Sequence, residues 1–179
     1  MRKLVIYLLL VAFVLFGLVV GCEKVVDQER KPAPPSPPVG TLIGYGSCKF
    51  HKMASVQDSI SPDQDCIEYQ YDGENLLLLR HINAAFNCCP ESITADVSIE
   101  DSVIIIEERH SFLNGNACFC NCLYDLDFEI RNLEPGEYTI KVIEILLEPS
   151  DEPLEFTVDL PYLSSSGSYC VSRDHYPWL

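Results

Sequence analysis

One stretch, Ala117 to Val142, constrains the fold more than any other; it reads ACFCNCLYDLDFEIRNLEPGEYTIKV. From Cys118 onward every second residue is apolar or sulfur (Cys118, Cys120, Cys122, Tyr124, Leu126, Phe128, Ile130), while Asp125, Asp127 and Glu129 fill the alternate positions. A period of two means a half-buried strand, since successive side chains point to opposite faces. The pattern therefore predicts that the three cysteines share the core face and that the carboxylates line a solvated one. A flat row of acids is a poor calcium site, because that ion takes six to eight oxygens from flexible loops.

Other strands are spaced along the chain on either side. Cys66 to Tyr71 leads through the turn signal Asp72-Gly73 into Asn75 to Phe86, which predicts a hairpin. Leu76 to Leu79 is an unbroken apolar run, expected to be covered on both faces. Beyond it Ile82, Ala84, Phe86 and Cys88 fall on one face and Cys89 on the other. Ile93 to Ile99, Tyr138 to Val142 and Leu154 to Leu160 alternate in the same way, a further strand runs from Val103 to Glu108 after the Glu100-Asp101 turn, and Ser61 to Asp65 reads as a turn. Residues 41–61 carry no clear strand signal. Seven short strands with frequent turns and no helical period predict an all-β, two-sheet sandwich over residues 41–179. The segment after Pro161 holds four aromatics and Cys170, and is expected to pack back on the sandwich with Cys170 bridged to Cys48 or Cys66.

Leu133-Glu134-Pro135-Gly136-Glu137-Tyr138 resembles the LxPGxY turn and following strand of immunoglobulin-like and fibronectin-type domains. The resemblance implies a single immunoglobulin-like sandwich in which Pro135, Gly136 and Tyr138 are architectural.

The first 22 residues run from Arg2 and Lys3 through an apolar stretch, Leu4 to Val20, to Gly21 and Cys22, the order of an export signal. Val19-Val20-Gly21-Cys22 resembles the lipobox of bacterial lipoproteins. That resemblance implies a signal peptide over 1–21, acylation of Cys22 with palmitate-type chains, and a protein tethered to the cell membrane or outer membrane; an uncleaved anchor is the alternative. Residues 22–40 are charged and then proline-rich, so they read as an extended stalk. Cys88-Cys89, the Cys118-x-Cys120-x-Cys122 run and the terminal Tyr176-Pro177-Trp178 together resemble a family of cysteine-rich bacterial lipoproteins to which no activity attaches.

Of nine cysteines, eight follow Cys22: Cys48, Cys66, Cys88, Cys89, Cys118, Cys120, Cys122 and Cys170. An even set in an exported chain is first a disulfide set, and eight cysteines allow 105 pairings. The alternative is a thiolate site for zinc or copper built from Cys88, Cys89, Cys118, Cys120 and Cys122. Two CxxC pairs, as in a zinc ribbon, do not occur. A Cys48–His51 metal pair is weaker than a bridged cysteine beside a surface histidine.

The chain has 12 Lys and Arg against 27 Asp and Glu, a formal net charge of −15. That excess repels phosphate backbones and argues against nucleic acid as a partner. The histidines are scattered and no GxSxG, HExxH or phosphate loop is present. A non-catalytic binding or structural domain without a cofactor is expected, with an envelope protein or surface ligand as its partner.

Overall fold

The structure, a computed structural model, describes residues 36–49 and 60–178. The expected signal peptide, Cys22, the expected proline-rich stalk up to residue 35, and His51 lie outside the described residues. Nine strands follow in order: β1 (Val39–Tyr45), β2 (Gln64–Tyr71), β3 (Leu76–Asn87), β4 (Ser92–Glu100), β5 (Val103–Ser111), β6 (Asn121–Arg131), β7 (Gly136–Ile143), β8 (Glu155–Leu160) and β9 (Ser165–Ser172). They form a five-stranded sheet, β1-β6-β3-β2-β9, and a four-stranded sheet, β4-β5-β7-β8. Pairing is antiparallel except between β5 and β7. The chain is thus a cysteine-stapled all-β sandwich.

The seven strands expected from alternation correspond to β2 through β8, and two more are present. β1 (VGTLIGY) and β9 (SSGSYCVS) are edge strands; glycines interrupt the apolar residues of β1 and small residues dominate β9, so neither shows a hydrophobic stripe. Their glycines allow close approach instead. A Cβ on Gly40 would overlap the Val97 side chain, and one on Gly167 would come within 2.7 Å of the Tyr69 hydroxyl.

Inward residues of both sheets make one core, including Ile67, Leu77, Phe86, Leu126, Phe128 and Ile130 from the first sheet and Ile104, Ile106, Ile140 and Leu160 from the second. At one corner Leu133 is buried, and its carbonyl accepts a hydrogen bond from the Tyr71 hydroxyl at 2.9 Å. The Tyr138 hydroxyl donates to the Glu134 carbonyl at 2.9 Å, closing the Pro135-Gly136 turn on itself.

Several expectations are corrected. Leu78 is 36 % exposed, so the Leu76–Leu79 run alternates; the outer face of the sheet is open there. A β-bulge between His81 and Ala84, with Asn83 at φ 67°, moves Ile82 off the face that Ala84 and Phe86 share. Asparagine tolerates that left-handed backbone, and the extra residue reverses the alternation. Asp65 lies inside β2 rather than in a turn, and Asp125 is only 7 % exposed. Its carboxylate is held by Lys49 at 2.5 Å and Arg80 at 3.0 Å, while Asp127 stays half exposed.

β6 begins at Asn121, so Cys118 and Cys120 precede the strand and are exposed; only Cys122 of the three faces the core. The reason is local. Asn87 replaces the expected strand ladder, donating from Nδ2 to the carbonyls of Cys118 and Cys120, both at 2.8 Å, and accepting at Oδ1 from the Cys118 N–H at 3.1 Å.

The C-terminal segment covers the outer face beyond the bulge. Trp178 packs on Ala85 and Leu123, and its indole N–H donates to the Asn83 carbonyl at 2.9 Å. The Tyr176 hydroxyl donates to the Asn121 carbonyl at 2.8 Å and accepts from its N–H at 2.6 Å.

Candidate functional site

The eight cysteines of the sandwich form four bridges. Cys48–Cys122 ties the segment after β1 to β6 on the inner face, and Cys66–Cys170 joins β2 to the edge strand β9 across a sequence separation of 104. Cys88–Cys120 and Cys89–Cys118 lie side by side where β3 ends and β6 begins, with Cα separations of 5.6 and 5.9 Å. These fall within the ordinary reach of a disulfide. The sulfurs of Cys88, Cys89 and Cys118 all lie within 4.8 Å of one another. Phe119, between the two bridged residues of its loop, is fully exposed.

The loop is positioned from beneath by Asn87, which is 7 % exposed, and by the Cys88 N–H donating to the Cys120 carbonyl at 3.0 Å. Cys88 is half-buried, whereas Cys89, Cys118 and Cys120 are exposed. Of the five cysteines that could have formed one thiolate cluster, Cys122 is instead drawn to the inner face by Cys48. His81, His110 and His175 engage other groups: His110 packs at a tilt against Phe86 and Phe112, and His175 reaches Asp151 at 2.9 Å.

A second constellation is ionic and buried. Along three strands, and just past the end of a fourth, the next position in phase with the inward apolar ones is charged: Asp65 before Ile67, His81 after Leu77 and Leu79, Glu108 after Ile104 and Ile106, and Glu144, following β7, after Ile140 and Val142. The four therefore meet as one polar layer. His81 Nδ1 lies 2.6 Å from Glu108 and Nε2 2.6 Å from Asp65. Arg173, which follows β9, donates from Nε and Nη2 to Asp65 at 3.0 and 2.7 Å, from Nη2 to Glu144 at 2.7 Å, and from Nη1 to the Glu152 carbonyl at 2.6 Å. Its guanidinium also lies 5.5 Å from the Trp178 ring centre.

The electrostatics of this layer follow from burial and neighbours. Burial works against a charged His81, but the flanking Glu108 and Asp65 carboxylates override it and hold the imidazole well above its ordinary pKa. For Asp65, too, burial opposes the charge, yet His81 and Arg173 keep its pKa below the usual value. Glu144 is pushed up to about 9 by burial and by Asp65 beside it, so it stays protonated at neutral pH. The side chains of His81, Asp65, Glu108, Arg173 and Glu144 are 0–3 % exposed. A substrate has no access to a layer closed this tightly; what it can do is lock the two sheets and the C-terminal segment in register.

The third feature is open. A groove of about 630 Å³ runs along the outer face of the five-stranded sheet, lined by Ile43, Glu68, Gln70, Leu78, Arg80 and Ser168 among others. Arg80 is half exposed there and is oriented by Asp125 and Asp127 at 3.0 and 3.9 Å. Its size is within the usual range for small-ligand sites. The groove, with its one ordered guanidinium and apolar rim, can receive a polar ligand or a partner's loop.

No family model, curated protein or solved structure matches this chain. The bridges follow the even cysteine count, which is visible in the sequence, whereas the groove lies where the Leu76–Leu79 run was expected to be covered on both faces. The ionic layer was missed, although its signal was present as charged residues in phase with each strand's apolar alternation.

Proposed function

We propose that this chain is a lipid-anchored envelope protein. Cys22 is acylated, residues 22–40 act as a stalk, and the sandwich is a head that binds a surface partner or supports the envelope. One observation carries the reading: the eight cysteines of the sandwich pair among themselves, so the ninth in the sequence, Cys22, is the one the bridges leave over. Bridges of this density belong to an oxidising compartment, and a cysteine at the end of an export signal belongs to an acyl anchor.

The geometry of the head is consistent with display. The chain enters β1 at Val39, opposite Arg131 at the end of β6, whereas the bridged loop precedes Asn121 at the other end. At about 3.3 Å per residue, the 11 residues of β6 separate the two by roughly 35 Å. The exposed Phe119 loop therefore lies at the end of the sandwich opposite the entry strand. The groove around Arg80 lies along the side between them.

The test is metabolic labelling with a palmitate analogue followed by fractionation. Label on the wild-type chain, with loss of both label and membrane association in Cys22→Ser, is the expected result. Label that persists without Cys22, or a wild-type chain without label, overturns the anchor.

A second reading is favoured by the 4.8 Å grouping of the Cys88, Cys89 and Cys118 sulfurs: in reduced form these thiols, with Cys120, would hold zinc or copper. It requires free thiolates, so a bridged protein without stoichiometric metal rules it out.

A further inference from the structure

The bridges Cys88–Cys120 and Cys89–Cys118 span nearly the same loop, with sequence separations of 32 and 29. Once either is closed, the other removes little further freedom from the unfolded chain, since the entropy gained depends on the loop newly closed. The folded loop does not need both. Asn87 fixes the main chain of Cys118 and Cys120 through three hydrogen bonds that survive loss of a sulfur–sulfur bond. Cys89–Cys118 is also the one bridge of the four with both cysteines exposed; each of the others has a buried or half-buried member. Exposed bridges are the ones open to attack by a thiolate.

We propose that Cys89–Cys118 is a thiol–disulfide exchange site whose substrate is a dithiol, with Cys88–Cys120 as a second couple behind it. A thiolate of the dithiol attacks one sulfur of Cys89–Cys118; a mixed disulfide forms and the partner cysteine leaves as thiolate. The dithiol's second thiol, deprotonated, then attacks the mixed disulfide. The dithiol departs as a disulfide, its two electrons now on Cys89 and Cys118, which take up its two protons. Cys118 lies within 4.8 Å of Cys88, so its thiolate can in turn attack Cys88 and release Cys120, moving the reduced position along the pair without change in electron count. The proposal rests on the bridged state of the head and not on the acylation of Cys22, so a failed lipid-labelling experiment leaves it standing.

The test uses the full chain in detergent, oxidised and challenged with substoichiometric dithiothreitol, quenched at intervals with an alkylating reagent and peptide-mapped. Label is expected first at Cys89, Cys118 and then Cys120, at least about tenfold faster than at Cys48, Cys66, Cys122 or Cys170, while circular dichroism holds its folded signal. A Cys89→Ser/Cys118→Ser double variant is expected to stay folded and lose the fast phase. Equal label across all eight cysteines, or label that appears only as the folded signal is lost, overturns the proposal. Because the kinetic pattern is read on the wild-type chain, the proposal is tested even where the double variant fails to fold.

Discussion

His81 lies between two carboxylates with no exposed surface, and that decides what its removal does. A neutral glutamine there leaves Asp65 and Glu108 facing each other across the core without the intervening cation, and breaking a buried pair from one side costs about 3–5 kcal/mol. His81→Gln is therefore predicted to lower the free energy of unfolding by that amount, measured by urea denaturation at neutral pH. The pH dependence has a defined sign. His81 has a raised pKa, so its contribution is fully present below the unfolded value of 6.5 and is lost as pH rises through the higher folded value. Glu144, at about 9 in the fold against 4.5 unfolded, adds a decline in stability between those two values, because the unfolded chain releases a proton that the folded one keeps. Asp65 has a lowered pKa, so its contribution is present above 3.8 and lost as acid protonates it. Stability is predicted to peak at about pH 5 and fall toward pH 9, read as the urea midpoint across that range. A midpoint that rises steadily from pH 5 to 9 would contradict the charge assignments.

At the level of elements, the bridges divide by what they constrain. Cys66–Cys170 holds the edge strand β9 to β2 and closes the longest loop, so Cys66→Ala/Cys170→Ala is predicted to cost about 4–5 kcal/mol by loop entropy. Its thermal midpoint should fall further than that of any variant lacking Cys89–Cys118. Gly167 of β9 lies against the Tyr69 ring, and Gly167→Val is predicted to destabilise by about 1–3 kcal/mol through overpacking, measured by thermal unfolding. These edge strands also mark the limit of sequence reading. β2 through β8 were legible because apolar residues alternate along them, whereas β1 and β9 are held by backbone pairing and close approach, which leave no stripe. The bulge at Asn83 was illegible for a related reason: alternation assumes one residue per pleat. Where Cys118 and Cys120 continue the period of β6 in sequence, the Asn87 side chain takes over the hydrogen bonds and the strand starts later. The ionic layer was legible in principle, but its members lie far apart in the sequence, Asp65 in an expected turn and His81 in mid-strand, and only the sheet pairing brings them together.

Across the whole molecule, the C-terminal segment closes the fold. Arg173 joins the ionic layer, Trp178 covers Ala85 and Leu123, and Tyr176 caps the start of β6. A stop before Arg173 removes all three and leaves Asp65 without its guanidinium. The truncated head is predicted to unfold at least about 3 kcal/mol more easily, or to fail to accumulate, which thermal unfolding and yield would report. The sandwich so closed has its entry strand at one end and a bridged, aromatic-tipped loop at the other. Its account turns on the state of nine sulfurs, and one measurement reads them together: the intact mass of the full-length product, purified from membranes and alkylated without reduction, with metal content determined on the same sample. The expected product begins at Cys22 and carries acyl groups, with no alkyl group on the other eight cysteines and no stoichiometric metal. A chain that retains its first 21 residues, or one whose Cys88, Cys89, Cys118 and Cys120 alkylate only after zinc or copper is removed by a chelator, would contradict it.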